Sequence, residues 1–283
     1  MTIQKAIEPP DIMARKGSGK PLTMLTAWDY LMAKILDESG IDIVLVGDSL
    51  SMVFQGNKTT LPVTLDEMIY HAKAVVRGVK RALVVTDMPF MSYQVSVEDA
   101  IRNAGRVLKE TGAGAVKIEG GRAYADTVKA LTNAGIPVMG HIGLQPQSYH
   151  TSGGYKLQGK SIAQARILIS DAEAMADAGA FSLVLEKIPA QLSEKITSKI
   201  PIPTISIGAG PKCDGQVLVT ADILGLFEEF KPKFVRRFAN LADEARKGIR
   251  NYIKDVEEGT FPDLETESFL SKDEEFLKEL EKL

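Results

Sequence analysis

Seven residues combine chemically capable side chains with positions at the ends of apolar runs. Asp48 and Ser49 follow IDIVLV, Asp87 ends ALVVTD, and Lys117 and Glu119 alternate with apolar neighbours in GAVKIEG. His141 stands near the end of IPVMGHIG, and Glu186 closes FSLVLE. Taken singly, each has an ordinary explanation. An Asp after a strand is commonly a cap or turn residue. Lys117 and Glu119 could be an internal ion pair, His141 a hydrogen-bonded core histidine, and Glu186 beside Lys187 a surface charge. Taken together they read differently, because ionisable groups buried in one apolar interior are costly unless they pair or bind a cation. The two aspartates and the glutamate form an all-oxygen set that suits a hard cation such as Mg2+; zinc would want more thiol and imidazole. Such a cation can chelate a 2-oxo acid and stabilise the charge that grows on its keto oxygen when the neighbouring carbon loses a proton. A carboxylate in an apolar mouth can be the base.

Elements that could bring these groups together are visible in the hydrophobic pattern. The runs 22–28, 41–48, 82–89, 114–120, 136–143, 181–187 and 202–210 are apolar almost throughout, with a weaker eighth, ILGLF, at 223–227. Such runs suit strands covered on both faces. The segments between them are helical in period. In SVEDAIRNAGRVLKETGA, Val97, Ala100, Ile101, Ala104, Val107 and Leu108 recur at helical spacing, Ser96 and Asp99 resemble a capping box, and Gly112 and Gly114 mark the end. Strand–helix alternation over this length predicts a (βα)8 TIM barrel, a single domain over 1–283 with extra terminal helices. A doubly wound open sheet stays open as an alternative, since periodicity does not show closure. In a barrel, the seven groups would converge on one mouth.

Two long loops, SMVFQGNKTTLPVTLDEM and GLQPQSYHTSGGYKLQGKS, follow the second and fifth strands, where lids and binding elements are built. His150 and Tyr155 in the latter are either ligand contacts or exposed loop residues. His71 reads as an ordinary helix residue. ISIGAGPKCDGQ after the seventh strand is either a phosphate cradle, a tight turn or a floor for a flat ligand. Cys213 within it reads as a small packing residue, since no base is near in sequence. From about 257 the chain is an acidic helical tail. SKDEEFLKELEKL carries a Ser–Glu capping box and is expected to pack on the barrel or on a neighbouring subunit.

Composition excludes several function classes. The formal net charge of -3, with no basic run interleaved with aromatics, argues against nucleic acid. A single cysteine excludes an internal disulfide framework and a CxxC zinc site. The opening MTIQKAIEPPDIMARKG lacks the apolar stretch of a signal peptide, and no window reaches the length of a membrane span, so a cytoplasmic protein is expected.

With these motifs in order, the sequence resembles the ketopantoate hydroxymethyltransferase family from about Thr23 to about Leu264. The resemblance rests on MLTAWDY, VLVGDSLSMVFQG, TLPVTLDEMIYH, VVTDMPFMSY, AVKIEGG, PVMGHIGLQPQS, GGYKLQGK, LVLEKIP, PTISIGAGPKCDGQVLV and PKFVRRFANL. It implies a barrel of the phosphoenolpyruvate/pyruvate superfamily. It also implies hydroxymethyl transfer from 5,10-methylenetetrahydrofolate to 3-methyl-2-oxobutanoate, giving 2-dehydropantoate for pantothenate biosynthesis through a Mg2+-stabilised enolate. By motif it implies Asp48 and Asp87 as ligands of one Mg2+ per subunit, with Glu119 as a third, through water. Asp48, Ser49, Asp87, Lys117 and His141 would surround the oxo acid, and Glu186 would be the catalytic proton acceptor. It implies a large homo-oligomer, often a decamer, with small-molecule partners only. Trp28, where the family usually has Tyr, Ser206 in ISIGAG and Gln145 after HIGL depart from the pattern without touching a proposed catalytic group. The competing readings are a superfamily lyase or mutase, which usually carries a reactive lid cysteine that is lacking here, and a non-catalytic barrel, which would have lost the charged set.

Overall fold

The computed structural model describes residues 5–283. Eight parallel strands close into a barrel in sequence order, with the last pairing the first. They are β1 (Leu22–Thr26), β2 (Ile43–Val46), β3 (Leu83–Asp87), β4 (Ala115–Glu119), β5 (Val138–Gly143), β6 (Ser182–Glu186), β7 (Thr204–Ile207) and β8 (Gly215–Leu218). The helices are α1 (Pro9–Met13), α2 (Tyr30–Glu38), α3 (Leu50–Val53), α4 (Leu65–Gly78), α5 (Val97–Thr111), α6 (Ala125–Asn133), α7 (Tyr149–Ser152), α8 (Ile162–Asp177), α9 (Ala190–Lys199), α10 (Thr220–Ile223), α11 (Leu241–Glu257) and α12 (Glu274–Leu280). None of the described helices is long and apolar enough to cross a membrane.

Local chemistry sets the helix ends. Thr64 and Glu67 form a reciprocal capping box at the start of α4, and the hydroxyls of Ser96 and Ser161 accept from the backbone N–H groups of Asp99 and Gln164. Gly112 then ends α5 at φ +80°, a conformation that glycine adopts without a Cβ clash. Along α5, Ala100, Ala104 and Val107 are buried while Arg102 and Arg106 pair with acidic side chains at the surface.

The period of two along each strand divides the core. Leu22, Met24, Ile43, Leu45, Leu83, Val85, Ala115, Met139, Val184 and Ile205 fill the barrel interior. Val44, Val84, Val116, Val138 and Leu183 face the helices. The short helix α1 closes the bottom of the barrel: Ile12 is 1% exposed within the interior cluster. Arg15 pairs with Asp42 at 3.5 Å, and Lys16 pairs at 2.9 Å with Asp214, whose carboxylate also accepts from the Thr204 N–H.

Four expectations are corrected. The eighth strand is not ILGLF but GQVL at 215–218, and Ile223 ends α10. No helix intervenes between β7 and β8: residues 208–214 return the chain directly, so the expected spacing of strand, helix and strand fails there. The last helix is capped by Asp273, which accepts from the N–H groups of Glu275 and Phe276, and not by Ser271. Finally, none of the described residues of α11 or α12 is buried, so the tail does not pack on its own barrel.

Candidate active site

The sequence-derived residues converge because they continue the inward rows at the C-terminal ends of the strands. Leu83 and Val85 lead to Asp87 on β3, Ala115 leads to Lys117 and Glu119 on β4, Met139 leads to His141 on β5, and Val184 leads to Glu186 on β6. The register places Asp87 beside Lys117, Glu119 beside His141 and Gly143 beside Glu186. Asp48 and Ser49 follow β2 after Gly47. All seven line one cavity of about 330 Å³, within the range of small-molecule sites.

Within it the charges are tightly organised. The Lys117 ammonium donates to Asp87 Oδ1 at 2.5 Å, and Asp87 Oδ2 accepts from the Asp48 backbone N–H at 3.0 Å. His141 stands between two carboxylates, with Nδ1 3.5 Å from Glu119 and Nε2 3.2 Å from Glu186, though neither contact has hydrogen-bond alignment. Burial and the Lys117 cation oppose charge on this ring, but Glu119 and Glu186 outweigh them and lift its pKa to about 9. Burial also works against the Lys117 charge, and Asp87, Glu119 and Asp48 more than compensate, pushing its pKa up. Asp48 is driven well above the usual carboxylate range by burial and by repulsion from Asp87 and Glu119.

Backbone geometry makes room for this set. Gly143 has φ +99°, and a Cβ there would fall 2.2 Å from the Glu186 carbonyl oxygen, so only glycine allows β5 and β6 to approach at the mouth. The indole N–H of Trp28 donates to the Gly47 carbonyl at 2.9 Å, fixing the turn that carries Asp48. His71 is a packed helix residue whose Nδ1 lies 2.7 Å from the Trp28 carbonyl oxygen. Cys213 is buried and 3.7 Å from the Thr197 hydroxyl, which agrees with a packing role. Of the two fifth-loop candidates, Tyr155 lines the cavity and meets the Met52 sulfur at 3.3 Å, while His150 is exposed. Lys187, at φ +47°, holds that loop by donating to the Tyr155 carbonyl.

Gln147 was not anticipated from the sequence. Its side-chain amide donates to Asp48 Oδ2 and to the Met88 carbonyl, each at 2.9 Å, and its backbone N–H donates to Glu119 Oε2 at 3.0 Å. Its own Oε1 lies 3.0 Å from the Tyr93 hydroxyl and from Gln94 Nε2. One buried residue thus sets two carboxylates, Asp48 through its side chain and Glu119 through its backbone. It sits in a short turn after β5, and only its presence in the HIGLQPQS motif marked it.

The fit to a cation rests on this charge balance. Asp48, Asp87, Glu119 and Glu186 face Lys117 and His141, so negative groups are in excess, and the donors of the first three are all oxygen. Among the described residues no group of three or more His, Cys, Asp or Glu side chains is already arranged as a metal-holding set. Mg2+ does not require one, since it commonly takes one or two carboxylates and keeps water and substrate oxygens in its other positions.

Comparison with known proteins identifies the family. The family described as ketopantoate hydroxymethyltransferase matches residues 6–264. The 3-methyl-2-oxobutanoate hydroxymethyltransferase of Syntrophus aciditrophicus (strain SB) is 56% identical over 259 residues, covering 92% of this chain and 95% of that one. Its counterpart from Chlorobaculum tepidum is 55% identical over 258 residues, covering 90% and 93%. Among solved structures, a phosphonopyruvate hydrolase in complex with oxalate and Mg++ superposes with a TM-score of 0.59 at 12% identity, covering 98% of this chain and 96% of that one, a likeness of fold alone. The inward carboxylates, the closed barrel and the matched length have one common explanation: the chain belongs to the ketopantoate hydroxymethyltransferase family.

Proposed function

We propose that this chain transfers a hydroxymethyl group from 5,10-methylenetetrahydrofolate to 3-methyl-2-oxobutanoate, forming 2-dehydropantoate (ketopantoate) in pantothenate biosynthesis in the cytoplasm. The observation that carries it is the set of carboxylates, lysine and histidine on the inner rows of one mouth, in a chain of this family. Asp48 and Asp87 would hold Mg2+ directly and Glu119 through water, and the ion supplies charge stabilisation at the substrate's keto oxygen. Ser49 and Lys117 hold the carboxylate end of the oxo acid by a hydroxyl and a cation. Glu186, the least buried of the carboxylates at 14% side-chain exposure, faces the mouth and takes the proton from C3. The C–H electron pair becomes the second C2–C3 bond as the keto π pair moves to oxygen; C3 then bonds to the folate methylene as that carbon's bond to N10 breaks and N10 takes a proton, and water adds hydroxyl to the methylene as its bond to N5 breaks, its proton going to N5 and tetrahydrofolate leaving. His141 positions rather than accepts, since both its ring nitrogens face carboxylates.

The test is isotope exchange. With Mg2+ and 3-methyl-2-oxobutanoate in deuterated water, Glu186→Gln should slow exchange of the C3 proton by at least about 10²-fold, the lower end of a general base's contribution. Wild-type exchange in Glu186→Gln, with exchange abolished in His141→Asn, transfers the role to the histidine. Absence of Mg2+-dependent transfer from the folate donor in the unaltered protein removes the reading altogether.

The same reading includes assembly as a homodecamer or other large homo-oligomer. On α11, Ile249, Tyr252, Ile253 and Val256 form an exposed apolar stripe at helical spacing. Contact between copies would cover it.

A further inference from the structure

The mechanism above uses the half of the cavity formed by β2 to β6. The rest of its lining comes from Thr26 at the end of β1 and from β7, β8 and the segment that follows, and this last part is apolar apart from one group. Ile207, Val217, Val219, Phe227 and Phe234 are representative, and the exception is Asp222 on α10. Gly208, at φ +65°, lets the Phe234 ring lie against the backbone, where a Cβ would come within 2.7 Å of it. The glycine turn that sequence alone left open as a floor for a flat ligand thus carries an aromatic ring at the cavity wall.

Asp222 has no side-chain hydrogen bond or ion pair with any described residue, and the nearby Arg237 donates instead to the Phe227 carbonyl at 3.1 Å. Burial pushes the Asp222 carboxyl up to about 6, with Arg237 opposing. A half-buried carboxylate without a partner is costly in an apolar wall and is satisfied by donors on a ligand. The cavity also exceeds what a small branched oxo acid fills. An anionic ligand end would be repelled here. A flat heterocycle with two parallel N–H donors would satisfy both carboxylate oxygens and stack on the rings.

We infer that Asp222 and the aromatic wall beside it seat the pterin ring of the folate donor, the carboxylate accepting from the ring's N3–H and 2-amino group. This rests on the transferase reading above. It sets the donor's direction: the pterin points into the wall and the anionic glutamate tail points out.

The inference is tested with two probes, tetrahydrofolate and its 2-desamino-2-methyl analogue, titrated into the full-length protein with Mg2+ and the oxo acid present. The wild type should bind the analogue at least about 10-fold more weakly, as expected for losing a hydrogen bond to a charged group. Asp222→Asn should weaken tetrahydrofolate by a similar factor and bind the two probes within about 3-fold of each other. The donor KM should rise in that variant far more than the oxo-acid KM. Equal binding of both probes to the wild type overturns the inference without any variant. Unchanged discrimination in Asp222→Asn, or a parallel rise in both KM values, also overturns it while leaving the transferase reading intact. A wild type that binds no tetrahydrofolate removes both.

Discussion

Gln147 offers the sharpest check on how the site is held. Gln147→Met keeps the length and approximate shape of the side chain but removes both amide donors and the acceptor. Asp48 Oδ2 loses a hydrogen bond to a charged group, which contributes about 1.5–3 kcal/mol, and the Met88 carbonyl is left without its side-chain donor at a cost of about 1–3 kcal/mol. Two effects soften the loss. The Tyr93 hydroxyl still has the Glu119 carbonyl at 3.0 Å, and Asp48, already driven towards its protonated form, can shed charge by taking up a proton. A net destabilisation of about 2–4 kcal/mol follows, or about 4–8 °C in melting temperature for a chain of this size. Calorimetry on the Mg2+-free protein reads it directly. Gln94→Ala, which removes one amide contact to Gln147 Oε1 and a long 3.3 Å contact from the Tyr93 N–H, is the control and should cost less than about 1 kcal/mol. A Gln147→Met protein that melts within about 1 °C of wild type would mean the amide bridge is incidental. The reasoning from buried hydrogen bonds would then be refuted.

Other consequences are equally direct. Asp48→Asn puts a neutral amide where burial and the Asp87 and Glu119 charges already push a carboxyl towards its protonated form, so in chelator at pH 8 it should melt above wild type while transfer activity is lost; a lower melting temperature would count against the electrostatic account. The folded-state pKa of Asp222, about 6, lies above its ordinary value of 3.8, so the folded protein holds that proton more tightly and loses stability as pH rises from about 4 to about 6. Melting curves of wild type and Asp222→Asn should therefore diverge across that window and run parallel above it, and a gap independent of pH would contradict the burial argument. Light scattering should give a mass several times that of one chain at micromolar concentration, and deletion of the residues after Leu264 measures the share of α12 in it; a monomer would rule out the assembly.

Legibility in the sequence followed periodicity. Asp87, Lys117, Glu119, His141 and Glu186 were recoverable because each extends a run of alternating inward residues, and an apolar row ending in a charge is conspicuous. Gln147 and Asp222 lie in short turns and helices without a period, where a polar residue looks like any loop residue until the chain is folded. The eighth strand was misplaced for a related reason. GQVL has one exposed side chain and no preceding helix, so nothing in its pattern competes with the more apolar ILGLF. The tail's amphipathic helices were legible as helices, but what they pack against is a property of more than one chain.

The closure of the barrel by its own beginning constrains how the chain can be made. Leu22 on β1 pairs with Gly215 on β8, and the plug around Ile12 and Lys16 rests on Asp214, next to that same strand. During synthesis Arg15 can meet Asp42 early, but Lys16 and the free edge of β1 wait for almost all of the barrel before Asp214 and β8 are available. Their loop-closure entropy is recovered only when β8 emerges. Until then the backbone edge of β1 that pairs with β8 stays open, and its inward face, Leu22 and Met24, is only partly covered. The window for nascent-chain aggregation thus closes only once β8 has emerged, and amino-acid changes near Lys16 or Asp214 should lower soluble yield more than they lower the melting temperature of protein already folded.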